Sequence, residues 1–144
     1  MYDKLKFKNK IIKENLKFTV QVVILNRKGE LLCVSRKHDH NDFGLAGGKV
    51  DPEDISLKSA LIREIKEESG LTVKEEDLLQ VFSMYKDDHM GYTYLCEEYT
   101  GEIETDEPHV VKWGTFKDVN EGSFGTWNKL VCSALIEMGI NFKY

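Results

Sequence analysis

The sequence of 144 residues contains little proline and little cysteine. Its only prolines are Pro52 and Pro108, and no low-complexity linker or internal repeat divides it. We therefore expect a single domain covering residues 1–144. The cysteines are few, odd in number and far apart in the chain: Cys33, Cys96 and Cys132. Without a C-x-x-C pair, they predict reduced thiols in a cytoplasmic protein and not a disulfide framework.

Long apolar runs and a basic excess are also lacking. No apolar run approaches the ~20 residues that span a bilayer, so we expect no membrane partner. The net charge is −5, and an acidic chain lacks the basic footprint that a stable nucleic-acid partner requires. Six lysines nevertheless lie in residues 1–17. We interpret this Lys-rich segment as a solvated arm or edge strand, with a phosphate-steering arm as the alternative.

The hydrophobic pattern predicts a mixed succession of strands and helices. A β-branched run at 18–25, a turn at 26–29 and an apolar run at 30–36 predict a hairpin, and a polar loop follows over 37–48. The remaining pattern predicts strands at 78–86, 91–99 and 109–117 and helices at 56–69 and 127–138. Because these elements neither alternate strictly nor form separate blocks, they favour an α/β (α+β) fold with helices packed on a mixed β-sheet.

The helix predicted at 56–69 carries acidic residues where apolar ones are expected. At about 100° per residue, Glu64 and Glu68 fall inside the inward apolar stripe, and Glu67 lies beside it. Arg63 and Lys66 can offset only part of the cost of burying unpaired carboxylates. Mg²⁺ takes oxygen ligands and keeps room for substrate phosphates. The three glutamates therefore favour a Mg²⁺ site, and a solvated acidic face is the alternative.

The residues that flank this predicted helix are suited to ending it and to meeting a ligand. Asp54 or Ser56 can cap its N-terminus, and Gly70 can end it in the left-handed conformation. Upstream, Gly47 and Gly48 permit close approach of the backbone. A carbonyl there could join the carboxylates around a metal, and an amide could meet a phosphate. A simple turn is the alternative.

From Gly48 to Leu71, the chain resembles the Nudix box, G-x5-E-x7-R-E-U-x-E-E-x-G-U, where U is a bulky aliphatic residue. The second half of this pattern matches at every specified position: Arg63, Glu64, Ile65, Glu67, Glu68, Gly70 and Leu71. The resemblance implies an α/β/α sandwich. It also implies Mg²⁺-dependent hydrolysis, with Mn²⁺ as a possible substitute, of a phosphoanhydride bond in a nucleoside diphosphate linked to another moiety.

The first half of the box departs from the pattern. Gly48 and Arg63 enclose one residue more than the family spacing, so the first glutamate of the box has no exact counterpart. We interpret this as a one-residue insertion around 51–54, with Asp54 or Glu53 as the substitute acid. A second departure is Ala46, where Nudix chains often carry proline.

The resemblance assigns roles to the matching residues. It implies that Glu64, Glu67 and Glu68 hold the metal together with the carbonyl of Gly48, and that Arg63 orients a glutamate by ion pairing. The physical chemistry agrees, because metal ions neutralise the charge that develops as a phosphoanhydride breaks and lower the pKa of an attacking water.

Many Nudix enzymes also take an acid from a later loop as metal ligand or general base. The candidates here are Glu104, Asp106 and Glu107, of which we favour Glu107 because it adjoins the Pro108 turn. An acidic surface loop is the alternative for each.

Substrate contacts are less sharply indicated. Gly47, Gly48, Lys49 and Phe43 are our candidates for substrate binding, and Lys37 or His38 could meet a phosphate. Aromatic side chains that could stack on a base are Phe43, Tyr85, Tyr92, Tyr94, Trp113, Phe124 and Trp127. We predict a small nucleotide substrate, a (d)NTP or a nucleotide sugar. RNA 5′-end pyrophosphohydrolysis and a non-catalytic nucleotide-sensing module are the alternatives, and the C-terminal helix or the Lys-rich segment could support a homodimer.

Overall fold

The computed structural model describes residues 17–144. The predicted Lys-rich arm therefore lies outside the described residues, apart from Lys17. The strands are β1 (Lys17–Ile24), β2 (Leu31–Ser35), β3 (Phe43–Gly44), β4 (Ala46–Lys49), β5 (Leu79–Lys86), β6 (His89–Cys96) and β7 (Val111–Gly114). The α-helices are α1 (Leu57–Ser69), α2 (Phe116–Asn120) and α3 (Gly125–Glu137), with a 3₁₀ turn at Glu75–Asp77.

The strands form two sheets. The larger is mixed, in the order β4-β1-β6-β5: β1 runs parallel to β6, whereas the β4–β1 and β6–β5 pairs are antiparallel. The smaller is antiparallel, in the order β3-β2-β7. The long crossover between the parallel pair β1 and β6 contains α1, as parallel pairing requires.

Two hydrophobic cores lie on opposite faces of β1. Val20, Val22 and Ile24 pack in a cluster that also holds Ala60, Leu61 and Ile65 of α1. Val23 and Leu25 face the other way, into a cluster with Val131, Cys132 and Leu135 of α3. Since α1 and α3 cover opposite faces of the larger sheet, the α/β/α sandwich and the α+β class are confirmed.

The predicted hairpin is only partly correct. The turn forms, because Gly29 N donates to Asn26 O at 3.0 Å and Asn26 N donates to Glu30 O at 2.9 Å. The two strands then meet at a single bridge, Leu25 with Leu31, and diverge into different sheets. Both edges of β1 are already occupied by β4 and β6, so no edge is left for β2.

Two further predictions need correction. The polar loop at 37–48 contains β3 and ends in β4, where Gly47 and Gly48 pair with Gln21 and Val20; glycine is depleted in strands, so the pattern concealed this one. The strand predicted at 109–117 ends at Gly114, because Thr115 caps the short helix α2. Within the described part of the chain, no helix is long and apolar enough to cross a membrane.

Candidate active site

Helix α1 has well-formed ends. Ser56 is the N-cap: its hydroxyl accepts from Ser59 N at 3.0 Å, and the Ser59 hydroxyl accepts from Ser56 N at 3.1 Å, a reciprocal capping box. At the other end, Gly70 adopts the left-handed conformation, with φ 82°, and its N–H donates to Lys66 O at 2.9 Å. The predicted C-terminal glycine is confirmed. Of the two N-cap candidates, Ser56 is the residue that caps the helix, and Asp54 is not.

The carboxylates of α1 are oriented as the helical wheel predicts. The Glu64 side chain is 17% exposed, whereas that of Glu67 is 49% exposed. Glu68 is partly buried, and its Oε1 accepts from Gly47 N at 2.8 Å. Two of the three glutamates therefore point toward the sheet, at the C-terminal end of the apolar stripe formed by Ala60, Leu61 and Ile65.

Arg63 connects the helix to the preceding loop. Its Nε and one terminal nitrogen donate to the two carboxylate oxygens of Asp54, at 3.1 and 2.9 Å. Its other terminal nitrogen lies 3.0 Å from Glu64 Oε1 and 3.5 Å from Glu67 Oε2. The bidentate bond to Asp54 is the main reason that the pKa of the Arg63 guanidinium lies above its usual range. Arg63 therefore fixes the orientation of two candidate metal ligands.

Asp54, in the loop that contains the extra residue, is the acid that pairs with Arg63. Its side chain is only 10% exposed, and it also accepts from Asp51 N at 2.8 Å. Asp51 itself lies at the outer side of the same guanidinium, at 3.4 Å. Of the two acids that the sequence left open, Asp54 makes this contact, and no bond from Glu53 to Arg63 occurs among the described residues.

The two glycines of β4 bring the backbone against the carboxylates. A Cβ on Gly48 would lie 2.7 Å from the Glu64 carboxyl carbon, and a Cβ on Gly47 would collide with Val20 O of the paired strand. Only glycine leaves this space open. Glu64 and Glu68 consequently sit directly against β4, the strand that also contributes the predicted carbonyl ligand of Gly48.

Burial raises the pKa of both inward carboxylates. Desolvation raises the pKa of Glu68 to about 8; the Gly47 N–H opposes the rise, while the negative charges of Glu64, Glu107 and Glu67 add to it. Desolvation also raises the pKa of Glu64, against the attraction of Arg63. Glu64 has Arg63 as a positive partner, whereas no cationic side chain is among the groups that lower the pKa of Glu68. The negative charge on this face of the helix is therefore only partly compensated, which favours binding of a cation.

The donor set fits a hard divalent cation. It consists of carboxylate oxygens on one helix face beside a glycine backbone, the ligand chemistry that Mg²⁺ prefers. Among the residues from Lys17 onward, no three His, Cys, Asp or Glu side chains stand at the mutual spacing of a metal centre. Glu64 and Glu67 lie on Arg63, and Glu68 lies on the Gly47 amide. The three carboxylates therefore do not share one partner in this structure.

A cavity of about 630 Å³ lies on the other side of the two glycines. Gly47, Gly48 and Lys49 form the wall shared with the carboxylate helix, so the predicted substrate-binding segment does border an open space. The opposite walls come from the β5–β6 turn and the start of α3. Their residues are Lys86, Asp87, His89, Ser123, Phe124, Thr126, Trp127 and Asn128.

Two of the predicted aromatic candidates line this cavity. Trp127 packs edge-on against Phe82, and its indole N–H donates to Thr93 Oγ1 at 3.3 Å. Its ring fills space beside Gly91, where a Cβ would lie 2.6 Å from the ring. Phe124 is 55% exposed, and the Arg36 guanidinium lies 5.6 Å from its ring centre. Both rings are positioned to contact a planar group in the cavity.

Phe43 requires a correction. It is buried in the core cluster beneath α3, and the Lys112 ammonium lies 4.3 Å from its ring centre. It does not line the cavity. Phe43 is therefore a core residue and not a surface on which a base could stack; a single aromatic in a polar loop gave no signal of this burial. Lys37 and His38 are exposed and likewise do not line the cavity.

The late acidic loop packs against the C-terminal end of α1. Glu107 Oε2 lies 3.4 Å from His109 Nδ1, and the opposite ring nitrogen of His109 lies 3.0 Å from the carbonyl oxygen of Glu68. A carbonyl only accepts, so that nitrogen, Nε2, carries the proton. Glu104 and Asp106 are exposed, whereas Glu107 is close enough to contribute to the raised pKa of Glu68. Of the three candidate acids, Glu107 is thus the one that faces the site.

A comparison with known families agrees with this arrangement. A sequence model of the NUDIX domain matches residues 15–131, a span that includes α1, β4 and the late acidic loop. The chain belongs to the Nudix family. The helix carrying Glu64, Glu67 and Glu68 is its Nudix helix.

One curated relative and several solved structures are similar to this chain. The chain is 30% identical over 103 residues to an ADP-ribose pyrophosphatase of Methanocaldococcus jannaschii. The aligned region covers 67% of this chain and 59% of that protein. The chain thus spans less than two thirds of the length of that relative. Two solved structures share the fold. A MutT described from Aliivibrio salmonicida and Vibrio cholerae has a TM-score of 0.69 and 22% identity, covering 84% of this chain and 98% of the other. The MutT NUDIX hydrolase of Burkholderia pseudomallei has a TM-score of 0.65 and 23% identity, with coverages of 83% and 97%.

Sequence reasoning missed the part of the cavity wall at the β5–β6 turn, and it missed His109. The β5–β6 turn that carries Lys86 and Asp87 has positive φ at Asp87 and Asp88, 49° and 65°. These values match a tight hairpin turn, and an Asp-Asp pair between two strands was a usable signal for it. The role of His109 had no local signal, because its partner, the carbonyl of Glu68, lies 41 residues earlier in the chain.

Proposed function

We propose that this Nudix hydrolase cleaves the phosphoanhydride bond of a nucleoside diphosphate derivative in a Mg²⁺-dependent reaction. The observation that carries the proposal is the pair of inward carboxylates, Glu64 and Glu68, which lie between Arg63 and the glycines of β4 with Arg63 as a partner of Glu64 alone. Burying such a set costs folding free energy, and costs of this kind are expected at functional sites. Binding of a divalent cation is the task that its chemistry fits best.

Each residue of the site has a distinct part in this proposal. Glu64, Glu67 and Glu68, with the carbonyl of Gly48, would hold the cation. The bound cation would neutralise charge on the diphosphate and favour ionisation of an attacking water. Arg63 keeps Glu64 and Glu67 oriented through its bonds at 3.0 and 3.5 Å, and it is itself anchored by Asp54. A fixed ligand set lowers the reorganisation needed at the moment of reaction.

Glu107 is proposed as the general base. It lies near Glu68 on the loop that packs against the end of the Nudix helix. Its side chain is 35% exposed, so it can reach solvent and accept a proton from the attacking water. Glu104 and Asp106 point into solvent on the same loop and would contribute only charge.

The cavity beside Gly48 is proposed to hold the nucleoside. Trp127 and Phe124 offer aromatic surface for a base, and Lys49 and Lys86 carry positive charge at the walls for phosphate oxygens. The relative from Methanocaldococcus jannaschii is named an ADP-ribose pyrophosphatase. We therefore propose a nucleotide sugar of the ADP-ribose type as the substrate, with a (d)NTP as the competing class.

The test is a panel assay followed by chromatography of the products. Purified protein is incubated with ADP-ribose, other nucleotide sugars, (d)NTPs, dinucleotides and 5′-triphosphorylated RNA, with Mg²⁺, with Mn²⁺ or with EDTA. We expect AMP and ribose 5-phosphate from ADP-ribose, and no product in EDTA. Glu67→Gln should lower the rate by a factor of about 10²–10³. The matched control is Glu76→Gln, which makes the same charge change on an exposed acid of the 3₁₀ turn.

Other outcomes would select other functions. Preferential release of pyrophosphate from RNA ends would identify an RNA 5′-end pyrophosphohydrolase. Nucleotide binding without turnover, unchanged in Glu67→Gln, would indicate a sensing module and contradict the enzymatic proposal.

A further inference from the structure

We propose that Thr105 and His109 are positioning residues that fix Glu107 against the C-terminal end of the Nudix helix. This inference rests on the proposed function, because Glu107 is there the general base. It goes beyond that function by explaining how a base on a loop is kept at a constant distance from the metal ligands on a helix.

The last carbonyl groups of a helix have no partner within it and must be satisfied from outside. In the Nudix helix, the 104–109 loop supplies these partners for three consecutive residues. The Thr105 hydroxyl donates to Glu67 O at 3.1 Å, His109 Nε2 donates to Glu68 O at 3.0 Å, and Glu104 N donates to Ser69 O at 2.8 Å. Two of these carbonyls belong to candidate metal ligands. The loop therefore binds the backbone of residues whose side chains are proposed to hold the metal.

The same two side chains also hold Glu107. The Thr105 hydroxyl, which donates to Glu67 O, accepts from Glu107 N at 3.2 Å. The His109 ring, which donates to Glu68 O, lies 3.4 Å from the Glu107 carboxylate through its other nitrogen. Each side chain thus bridges Glu107 and one metal-ligand residue. Thr105 does so through its hydroxyl, a group that can donate and accept at one atom.

The loop has separate anchors on its far side. Pro108 O lies 2.9 Å from His40 Nε2, and Val110 exchanges bonds with Ser35, from Val110 N to the Ser35 hydroxyl and from Ser35 N to Val110 O, both at 2.8 Å. Loss of the Thr105 hydroxyl would therefore leave the loop attached but remove one of the two side-chain links between Glu107 and the helix. The expected effect is on the reaction more than on folding.

The experiment compares Thr105→Val, which keeps the shape and removes the hydroxyl, with Thr105→Ser, which keeps the hydroxyl. With Mg²⁺ and ADP-ribose, we expect Thr105→Val to lower kcat about 10-fold with little change in KM, since small displacements of a catalytic group can cost that much or more. Thr105→Ser should stay within about 3-fold of wild type. In the Glu107→Gln background, Thr105→Val should cost less than about 2-fold, because the group it positions is already gone.

His109 and His40 supply a matched pair. His109→Leu removes the ring contact to Glu68 O and Glu107, and we expect a kcat loss of about 10-fold that again shrinks in the Glu107→Gln background. His40→Ala removes only the outer contact to Pro108 O and should leave activity within about 2-fold of wild type. Equal losses in the wild-type and Glu107→Gln backgrounds would show a merely structural role and overturn the proposal.

Amide hydrogen exchange at Glu107 gives a second readout that does not depend on turnover. We expect at least about 10-fold faster exchange of the Glu107 amide in Thr105→Val, but not in Thr105→Ser. If wild type proves inert on every substrate, the proposed function fails while exchange still tests the contact. An unchanged Glu107 amide in Thr105→Val, or faster exchange with unchanged kcat, would overturn the positioning role.

Discussion

Glu68 should make the metal-free protein less stable as the pH rises, and Glu68→Gln should remove that loss. Burial raises the pKa of this carboxyl to about 8 in the folded protein, whereas in an unfolded chain a glutamate titrates near 4.3. The folded state therefore binds the proton more tightly. Stability is greatest below the unfolded pKa and declines as the pH rises through the window from about 4.3 to about 8.

The size of this effect has an upper limit. A factor of ten in proton affinity corresponds to about 1.4 kcal/mol. A pKa that rises from about 4.3 to about 8 on folding therefore limits the loss in the free energy of unfolding to about 5 kcal/mol. The side chain is only partly buried and can rotate toward solvent. We therefore expect the free energy of unfolding to fall by about 1–3 kcal/mol, which lowers Tm by about 3–10 °C for a domain of this size. Glutamine mimics the protonated acid and keeps an oxygen to accept the Gly47 N–H, so Glu68→Gln should be more stable than wild type by this amount above pH 8.

The assay is thermal unfolding in EDTA at several pH values between about 5 and 9, for wild type and Glu68→Gln. The difference between the two curves isolates Glu68 from other titrating groups. We expect near equality at pH 5 and a growing advantage for the variant toward pH 9. Adding Mg²⁺ at high pH should stabilise wild type more than the variant, because the cation binds the ionised carboxylate of the folded state. A variant that is no more stable than wild type at pH 9 in EDTA would refute the reasoning.

Three further predictions concern the frame around the site and the thiols. Asp54→Asn weakens the bidentate anchor of Arg63 and should cost about 2 kcal/mol in the free energy of unfolding, measured in urea, whereas Glu53→Gln should cost less than about 0.5 kcal/mol; equal effects would contradict the assignment of Asp54. Gly48→Ala should push the Glu64 carboxylate aside and raise the Mg²⁺ concentration needed for half-maximal activity about 10-fold, while Gly44→Ala, with ordinary contact distances, should not change it. Burial raises the pKa of Cys33 to about 12, and all three cysteines are buried; native protein should react with a thiol reagent only at the rate of unfolding, and rapid labelling would contradict this.

The sequence predicted the helix and its inward carboxylates because both depend on local periodicity. Glu64 and Glu68 fall in the apolar stripe from spacing alone, and the structure buries them there in part. The N-cap was ambiguous because Asp54 and Ser56 are both good capping residues. The choice depends on Arg63, nine residues after Asp54, whose guanidinium draws the aspartate away from the helix end. A short-range pattern does not contain that contact.

Long-range contacts account for the remaining differences between the sequence predictions and the structure. The glycines of β4 form a strand because β1 lies alongside them, and β2 leaves β1 because both edges of β1 are taken. Phe43 is buried by contacts with residues more than 60 positions away, such as Lys112. The predicted homodimer, the cytoplasmic location and the role of the Lys-rich segment stay predictions.

The most direct test of the Nudix assignment of Glu64, Glu67 and Glu68 to a metal-dependent hydrolase site is ³¹P NMR of ADP-ribose with the purified protein. We predict that the diphosphate signals disappear and two phosphomonoester signals grow, only when Mg²⁺ is present and only with wild type, while Glu67→Gln leaves the spectrum nearly unchanged over the same period. Diphosphate signals that persist with wild type across the whole substrate panel, or that decay equally fast with Glu67→Gln or in EDTA, would contradict the account.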